Sequence, residues 1–155
     1  MMQDSITKDL EKELSGCAQL HVFLENHREN MKEHSISDLL RIHMAEKNLS
    51  RADVITASGL NDIYAHQIFA GKRNPSREKL LCICFGMGLT ADQTQELLRD
   101  CGYVPLYVKK RRDSIILYAL MHGLTLLQCN ELLYEEKEDL LSSNKTPVRS
   151  DRRSF

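Results

Sequence analysis

The chain has 155 residues with 21 basic and 22 acidic side chains, and this even balance excludes polyanion binding through bulk charge. Any contact with nucleic acid must therefore come from a local basic patch. The chain is long enough for one domain with an extension. Because it has only seven glycines, three prolines and leucine-rich segments with few β-branched runs, we predict an all-α fold.

Residues 1–34 are predicted to form amino-terminal amphipathic helices. Leu10 and Leu14 lie four residues apart, which places them on one face of a helix. A second apolar stripe contains Leu20 and Phe23. Gly16 lies between the two stripes, so we expect it to break the segment into two helices.

Four short helices are predicted between residues 35 and 87. The first should begin near Ser35 or Ser37 and end near Asn48. The next three each start after a residue that can cap a helix, and these residues are Ser50, Asn61 and Ser76. Glycines at positions 59 and 71 should end the second and third helices. The fourth is nearly all apolar, so it should be the most buried element. The pattern predicts a helix-turn-helix.

An internal repeat occupies the second half of the chain. GLTADQTQELL (88–98) and GLTLLQCNELL (123–133) align with an offset of 35 residues. Each glycine should end a helix, and each Thr and Gln pair should form a capping box at the start of the next. We therefore predict two stacked helical hairpins, residues 77–101 and 112–136, with residues 103–138 forming an extension. Residues 139–155 are predicted to be a disordered basic tail.

From Ser35 to about Thr90 the chain resembles the Cro/repressor-type helix-turn-helix family, often called XRE. The resemblance is carried by LSRADV (49–54), SGL (58–60) and IFAGKRNPS (68–76). It implies a lambda-repressor-like helix-turn-helix bundle over residues 35–102. This bundle would be flanked by the amino-terminal helices and the second hairpin of the repeat. Such bundles place their third helix in the DNA major groove.

The resemblance also implies which residues would contact double-stranded DNA. The helix 61–70 would read the major groove, and the chain would be a sequence-specific transcriptional regulator that forms a homodimer. The DNA-binding residues implied by position are Arg51, Asn61, Asp62, Ile63, His66, Gln67, Lys72 and Arg73. Gln67 can bond adenine at two points, whereas the Lys and Arg side chains neutralise phosphates.

Other residues of the same helix leave a second interpretation open. Asp62 would bring a carboxylate close to the phosphates, and Tyr64 and Phe69 would add aromatic surface. The chain could instead be a non-enzymatic adaptor that keeps the helix-turn-helix fold without binding DNA. Tyr64 and Phe69 would then contact a cytoplasmic protein partner, and the alternative is that both rings pack against the amino-terminal helices. Cancellation of the basic stripe by Asp62 and Glu78 would favour this alternative.

The densest basic run is Lys109-Lys110-Arg111-Arg112, at the predicted start of a helix. The helix dipole disfavours cations there, so phosphate or an acidic partner could use the run. The alternative is a solvated helix start whose charge is balanced by Asp113 and residues 135–136.

Cysteine and histidine usage points away from disulfides, metals and catalysis. The five cysteines are an odd number without a CxxC spacing, so we expect free, mostly buried thiols in a reducing cytoplasm. None of the six histidines has a metal-site spacing, and no catalytic motif occurs. We expect no metal, no cofactor and no enzymatic activity. The longest apolar run, residues 80–89, is too short to cross a membrane.

Overall fold

Every regular element in residues 2–28 and 34–141, the part of the chain that the computed structural model describes, is an α-helix. For residues 2–6 only the backbone is described. The presence of helices alone among the described elements confirms the predicted all-α fold class. The chain divides between His34 and Ser35 into two units. None of the described helices is both long enough and apolar enough to cross a lipid bilayer.

The first unit contains two helices, α1 (Met2–Gly16) and α2 (Leu20–Asn26). The break predicted at Gly16 is confirmed. His27 Nε2 lies 2.9 Å from Glu13 Oε2, and the His27 ring packs against Phe23 with their centroids 4.7 Å apart. Phe23 is buried. These side chains hold the two helices together as a hairpin.

The second unit contains seven described helices in chain order. They are α3 (Ile36–Glu46), α4 (Arg51–Ser58), α5 (Asp62–Phe69), α6 (Arg77–Gly86), α7 (Ala91–Asp100), α8 (Arg111–Met121) and α9 (Leu126–Glu135). Each of the predicted helices in this part of the chain is present, and its ends lie within a few residues of the predicted ones. A single hydrophobic core joins them.

The predicted caps between α3 and α6 are confirmed. Ser50 Oγ accepts a hydrogen bond from the Asp53 N–H at 3.1 Å at the start of α4. α4 ends at Gly59, whose φ of 69° is a left-handed conformation that glycine adopts without strain. The side chains of Asn61 and Ser76 cap α5 and α6 in the same way as Ser50. Capping residues therefore determine where these short helices begin.

α6 lies at the centre of the second unit, as its apolar sequence predicted. Six consecutive residues, Leu80 to Phe85, are buried. α4 packs directly against α6. A Cβ atom on Gly86 would lie 2.8 Å from the Val54 carbonyl oxygen and 3.0 Å from the Ser58 backbone nitrogen. The two helices can approach this closely only because position 86 has no side chain.

The helix connectors of the repeat are confirmed in both copies and occur a third time. Thr90 and Thr125 each form a complete capping box with the Gln three residues later, and Gly88 and Gly123 both have a φ of 64°. The connector from α3 to α4 has the same form, with Asn48 at a φ of 54°. Our sequence analysis missed this third copy. Its signal was KNLS beside MGLT and HGLT, because Asn is the residue that most often replaces Gly at positive φ.

Each repeated hairpin is closed by a short non-helical segment, which we call strap 1 (residues 104–106) and strap 2 (residues 139–141). Gln95 donates to the Leu106 carbonyl at 2.8 Å and accepts from the Leu106 N–H at 2.7 Å. Asn130 makes the same two bonds to Leu141, at 3.0 and 2.8 Å. Because these pairs are also 35 residues apart, the repeat includes its straps.

Strap 2 overturns part of the predicted tail. Residues 139–141 were expected to be disordered, but Leu141 is only 2% exposed and the Arg112 guanidinium donates to the carbonyls of Asp139 and Leu140 at 2.8 and 3.2 Å. Arg77 binds the first two carbonyls of strap 1 in the same way. The tail prediction failed here because two adjacent leucines and backbone hydrogen bonds hold the segment, and neither leaves a periodic pattern. Residues 142–155 lie outside the described residues.

The basic run is largely neutralised within the chain. Arg112 makes a two-point ion pair with Glu78, with oxygen distances of 2.6 and 3.1 Å. Arg111 pairs with Glu136 and Glu138. These pairs support the interpretation of a charge-balanced helix start, and Lys109 and Lys110 are the exposed cations of the run that form no ion pair with another described residue.

All five cysteines are free thiols, and Cys82, Cys84 and Cys129 are buried. Burial raises the pKa of each of these three thiols to about 12. Because the reactive form is the thiolate, we expect these three cysteines to resist Ellman's reagent at pH 8 in the folded protein and to react on unfolding. The measurement is the number of thiols that titrate with and without denaturant. Rapid labelling of Cys84 in the folded state would contradict this prediction.

Candidate nucleic-acid interface

The helix α5 turns an apolar face to the core and a mixed face to solvent. Ala65, Ile68 and Phe69 are buried. The side chains of Asp62, Ile63 and His66 are exposed, together with the capping residue Asn61, whereas Gln67 is half-buried at the edge. The predicted groove-reading residues therefore occupy one outward-facing surface, which we call the α5 outer face. This follows from helical periodicity, because residues three and four apart share a face.

The carboxyl end of α5 is held by an arginine that the sequence analysis missed. Arg41 of α3 donates to the Phe69 carbonyl at 3.1 Å and also pairs with Asp38 at 3.3 Å. The last carbonyls of a helix lack partners within the helix, so a guanidinium there satisfies one of them. Arg41 lies 28 residues from Phe69 along the chain, and no local sequence signal could have indicated this contact.

Gly71 directs the chain out of α5. Its φ is 79°, and a Cβ there would lie 3.1 Å from Ser37 Oγ. The Lys72 N–H then donates to the Gln67 carbonyl at 2.9 Å and closes the helix end. This turn places Lys72 and Arg73 on the surface immediately after α5.

Three predicted phosphate-binding residues are exposed, Arg51 at the start of α4 and Lys72 and Arg73 just after α5. None of the three forms an ion pair with another residue in the described ranges. Arg51 Cζ lies 5.5 Å from the centre of the Phe69 ring, and Arg73 Cζ lies 5.3 Å from that of Tyr64. These cation–π contacts orient the guanidinium groups without neutralising them.

Lys79 adds a fourth cation that the sequence analysis did not include in the site. Its Nζ lies 4.8 Å from the centre of the Tyr64 ring, so Tyr64 is in contact with both Lys79 and Arg73. Burial raises the pKa of the Tyr64 phenol, and the positive charge of Arg73 offsets part of that rise. The ring therefore remains a neutral platform for two cations at neutral pH.

The predicted protein interface needs one correction. Phe69 is completely buried in the core of the second unit, so it cannot contact a partner. The adaptor interpretation needed its aromatic ring on the surface, but its position in α5 is one turn after Ala65 on the face that packs inward. Tyr64 is half-buried beneath Arg73 and Lys79.

The acidic residues near the site differ in how far they can weaken its positive charge. Asp62 is exposed on the α5 outer face. Glu78 is occupied by its two-point pair with Arg112, so its charge is already balanced. The arrangement therefore combines the exposed carboxylate of Asp62 with the exposed cations Arg51, Lys72 and Arg73 and with a central apolar side chain, Ile63, which is 72% exposed.

This geometry is one that could place an α-helix in a groove while cations at both ends contact phosphates. Among the described residues, no three His, Cys, Asp or Glu side chains converge in a way that would hold a metal ion. Comparison of the chain with protein-family models, with curated proteins and with solved structures found no match.

Proposed function

We propose that this protein is a sequence-specific DNA-binding regulator with a lambda-repressor-like helix-turn-helix, in which α5 enters the major groove of double-stranded DNA. The observation that carries the proposal is the exposed α5 outer face flanked by Arg51, Lys72 and Arg73, three cations without ion-pair partners among the described residues. Cations that are not neutralised within a protein can replace the counterions of DNA phosphates.

The α5 outer face carries the chemistry needed to read bases. Gln67 can bond the N6 and N7 atoms of adenine, His66 can donate to a guanine or a phosphate, and Ile63 can contact a thymine methyl group. The charge of Asp62 is unfavourable near phosphates, but its carboxylate could accept a hydrogen bond from the cytosine amino group and so contribute to base selection. In this mechanism Arg51, Lys72 and Arg73 set the position of the protein on the duplex, and α5 selects the sequence.

The net charge of −1 does not argue against this function, because the field near the α5 outer face is local. The pair between Glu78 and Arg112 removes one of the two carboxylates that could cancel the basic stripe. Asp62 is the other, and the three exposed cations Arg51, Lys72 and Arg73 outnumber it.

Affinity for mixed genomic DNA as a function of salt concentration tests the proposal. If three cations each contact one phosphate, we expect a slope of about −2.7 for log affinity against log salt for each bound chain. That slope corresponds to a loss of affinity of about 40-fold per chain between about 50 and 200 mM salt. Fluorescence anisotropy with labelled duplexes gives the slope directly. A folded protein without measurable affinity at low salt would reject the proposal.

A protein-binding adaptor is the second candidate, and one observation favours it. Ile63, at the centre of the α5 outer face, is 72% exposed and has a carboxylate beside it. Exposed apolar side chains rimmed by polar groups are common at protein interfaces. With Phe69 buried, such an interface would be centred on Ile63 and the exposed edge of Tyr64. The salt experiment separates the candidates, because an adaptor should not bind DNA, whereas a DNA-binding regulator should lose affinity for DNA as the salt concentration rises.

A further inference from the structure

The two straps differ at the turn that folds each of them back onto its hairpin. Strap 1 follows Gly102, whose φ is 80°, and strap 2 follows Lys137, whose φ is 61°. The two residues occupy equivalent positions, 35 residues apart. Glycine adopts this left-handed conformation without steric cost, whereas the Cβ atom of lysine crowds the following carbonyl. Strap 2 is therefore closed by a strained turn, and strap 1 is not.

Strap 2 is bound largely through its backbone, and its leucines add apolar contacts, with Leu141 buried and Leu140 partly buried against the core. Arg112 and Asn130 bind the backbone of residues 139–141, and the buried side chain is that of Leu141. The same segment of a second copy of the chain would make each of these contacts equally well. In that arrangement Lys137 could return to a negative φ, so the exchange keeps the contacts of residues 139–141 and releases the strain, while it gives up the bond from the Glu138 N–H to the Leu133 carbonyl.

We propose that two copies of this chain exchange strap 2. Residues 139–141 of one copy would occupy the groove formed by Arg112, Asn130 and the pocket of Leu141 in the other, with Lys137 as the hinge. The partner at this surface is thus a second copy of the same chain. This inference does not depend on DNA binding, and either proposal can fail without the other.

Strap 1 cannot exchange in the same manner, because it lies between two packed helices. Strap 1 leads directly into α8, and the Tyr107 N–H donates to the buried Asp113 carboxylate of that helix at 2.9 Å. α8 contributes Ile116, Ala119 and other residues to the core. Releasing strap 1 would therefore unfold the second hairpin. Releasing strap 2 breaks its bonds to Arg112 and Asn130 and uncovers Leu141, while α8 and α9 stay packed against each other.

The test changes the hinge and measures association by sedimentation equilibrium at physiological ionic strength. Lys137→Pro fixes φ near −65° and forbids the closed turn. We therefore expect this variant to dimerise at a protein concentration at least about tenfold lower than the natural chain requires. Lys137→Gly removes the strain from the closed turn, so we expect dimerisation to become about tenfold weaker. Both variants change the same residue, and therefore each is a control for the other.

The groove variants show whether the strap makes the dimer. Leu141→Asp in the Lys137→Pro background should restore the monomer, because a carboxylate cannot occupy an apolar pocket. A monomeric Lys137→Pro protein, or a dimer that survives Leu141→Asp, would overturn the proposal. If circular dichroism shows that Lys137→Pro does not fold, the Lys137→Gly variant is the test. A monomer–dimer equilibrium of that variant equal to that of the natural chain would reject strap exchange.

Discussion

The variant Gly86→Ala is expected to lower the free energy of unfolding by about 2 kcal/mol. Overpacking of a close helix contact costs about 1–3 kcal/mol, and here the upper end applies because the added Cβ meets the backbone of Val54 and Ser58. Backbone atoms cannot move aside as a flexible side chain can. The higher helix propensity of alanine returns at most about 1 kcal/mol. We expect a lower urea midpoint with an unchanged slope.

The matched control is Gly16→Ala, since no atom lies within 4 Å of a Cβ built at that position. It should be neutral or slightly stabilising. Gly86→Val should destabilise more than Gly86→Ala, and Ser58→Gly should rescue Gly86→Ala only in part, because the Val54 carbonyl remains in the way. If Gly86→Ala were as stable as the natural chain, α4 and α6 would not pack as closely as described.

The second large effect concerns DNA. Lys72→Ala combined with Arg73→Ala should weaken binding to every duplex by about 60-fold at about 0.1 M salt, because two phosphate contacts are lost. The salt slope should change from about −2.7 to about −0.9 per chain. Gln67→Ala should leave the slope unchanged and relax the preference at one base position. Selection from random duplexes, followed by anisotropy titrations, measures both quantities.

Lys109→Ala combined with Lys110→Ala is the matched control, because it removes two exposed cations of the same chain far along the sequence from α5. Affinity and slope should change little if the α5 outer face carries the binding. An equal loss in both double variants would indicate general attraction to polyanions and would contradict a positioned helix. Circular dichroism of each variant shows whether the fold is retained.

Local sequence determined much of this fold. The caps at Ser50, Asn61 and Ser76 and the left-handed Gly59 are encoded within a few residues, because each depends on one side chain and the backbone beside it. The repeat was readable for the same reason. Even the missed connector at Asn48 had a local signal. The outward direction of Asp62, Ile63 and His66 followed from helical periodicity once the ends of α5 were known.

Only the tertiary structure decided which of the candidate side chains are exposed for binding and which are buried or paired within the chain. The sequence left open whether Phe69 packs inward or contacts a partner, and the structure buries it because α5 presents that row to the core. The anchor Arg41 and the neutralising pair between Glu78 and Arg112 join residues 28 and 34 positions apart. Strap 2 is held by Leu141 and by hydrogen bonds to its backbone, and the hydrogen bonds carry no residue preference. Contacts of this kind depend on where helices meet in space, and a short-range pattern contains no information about that.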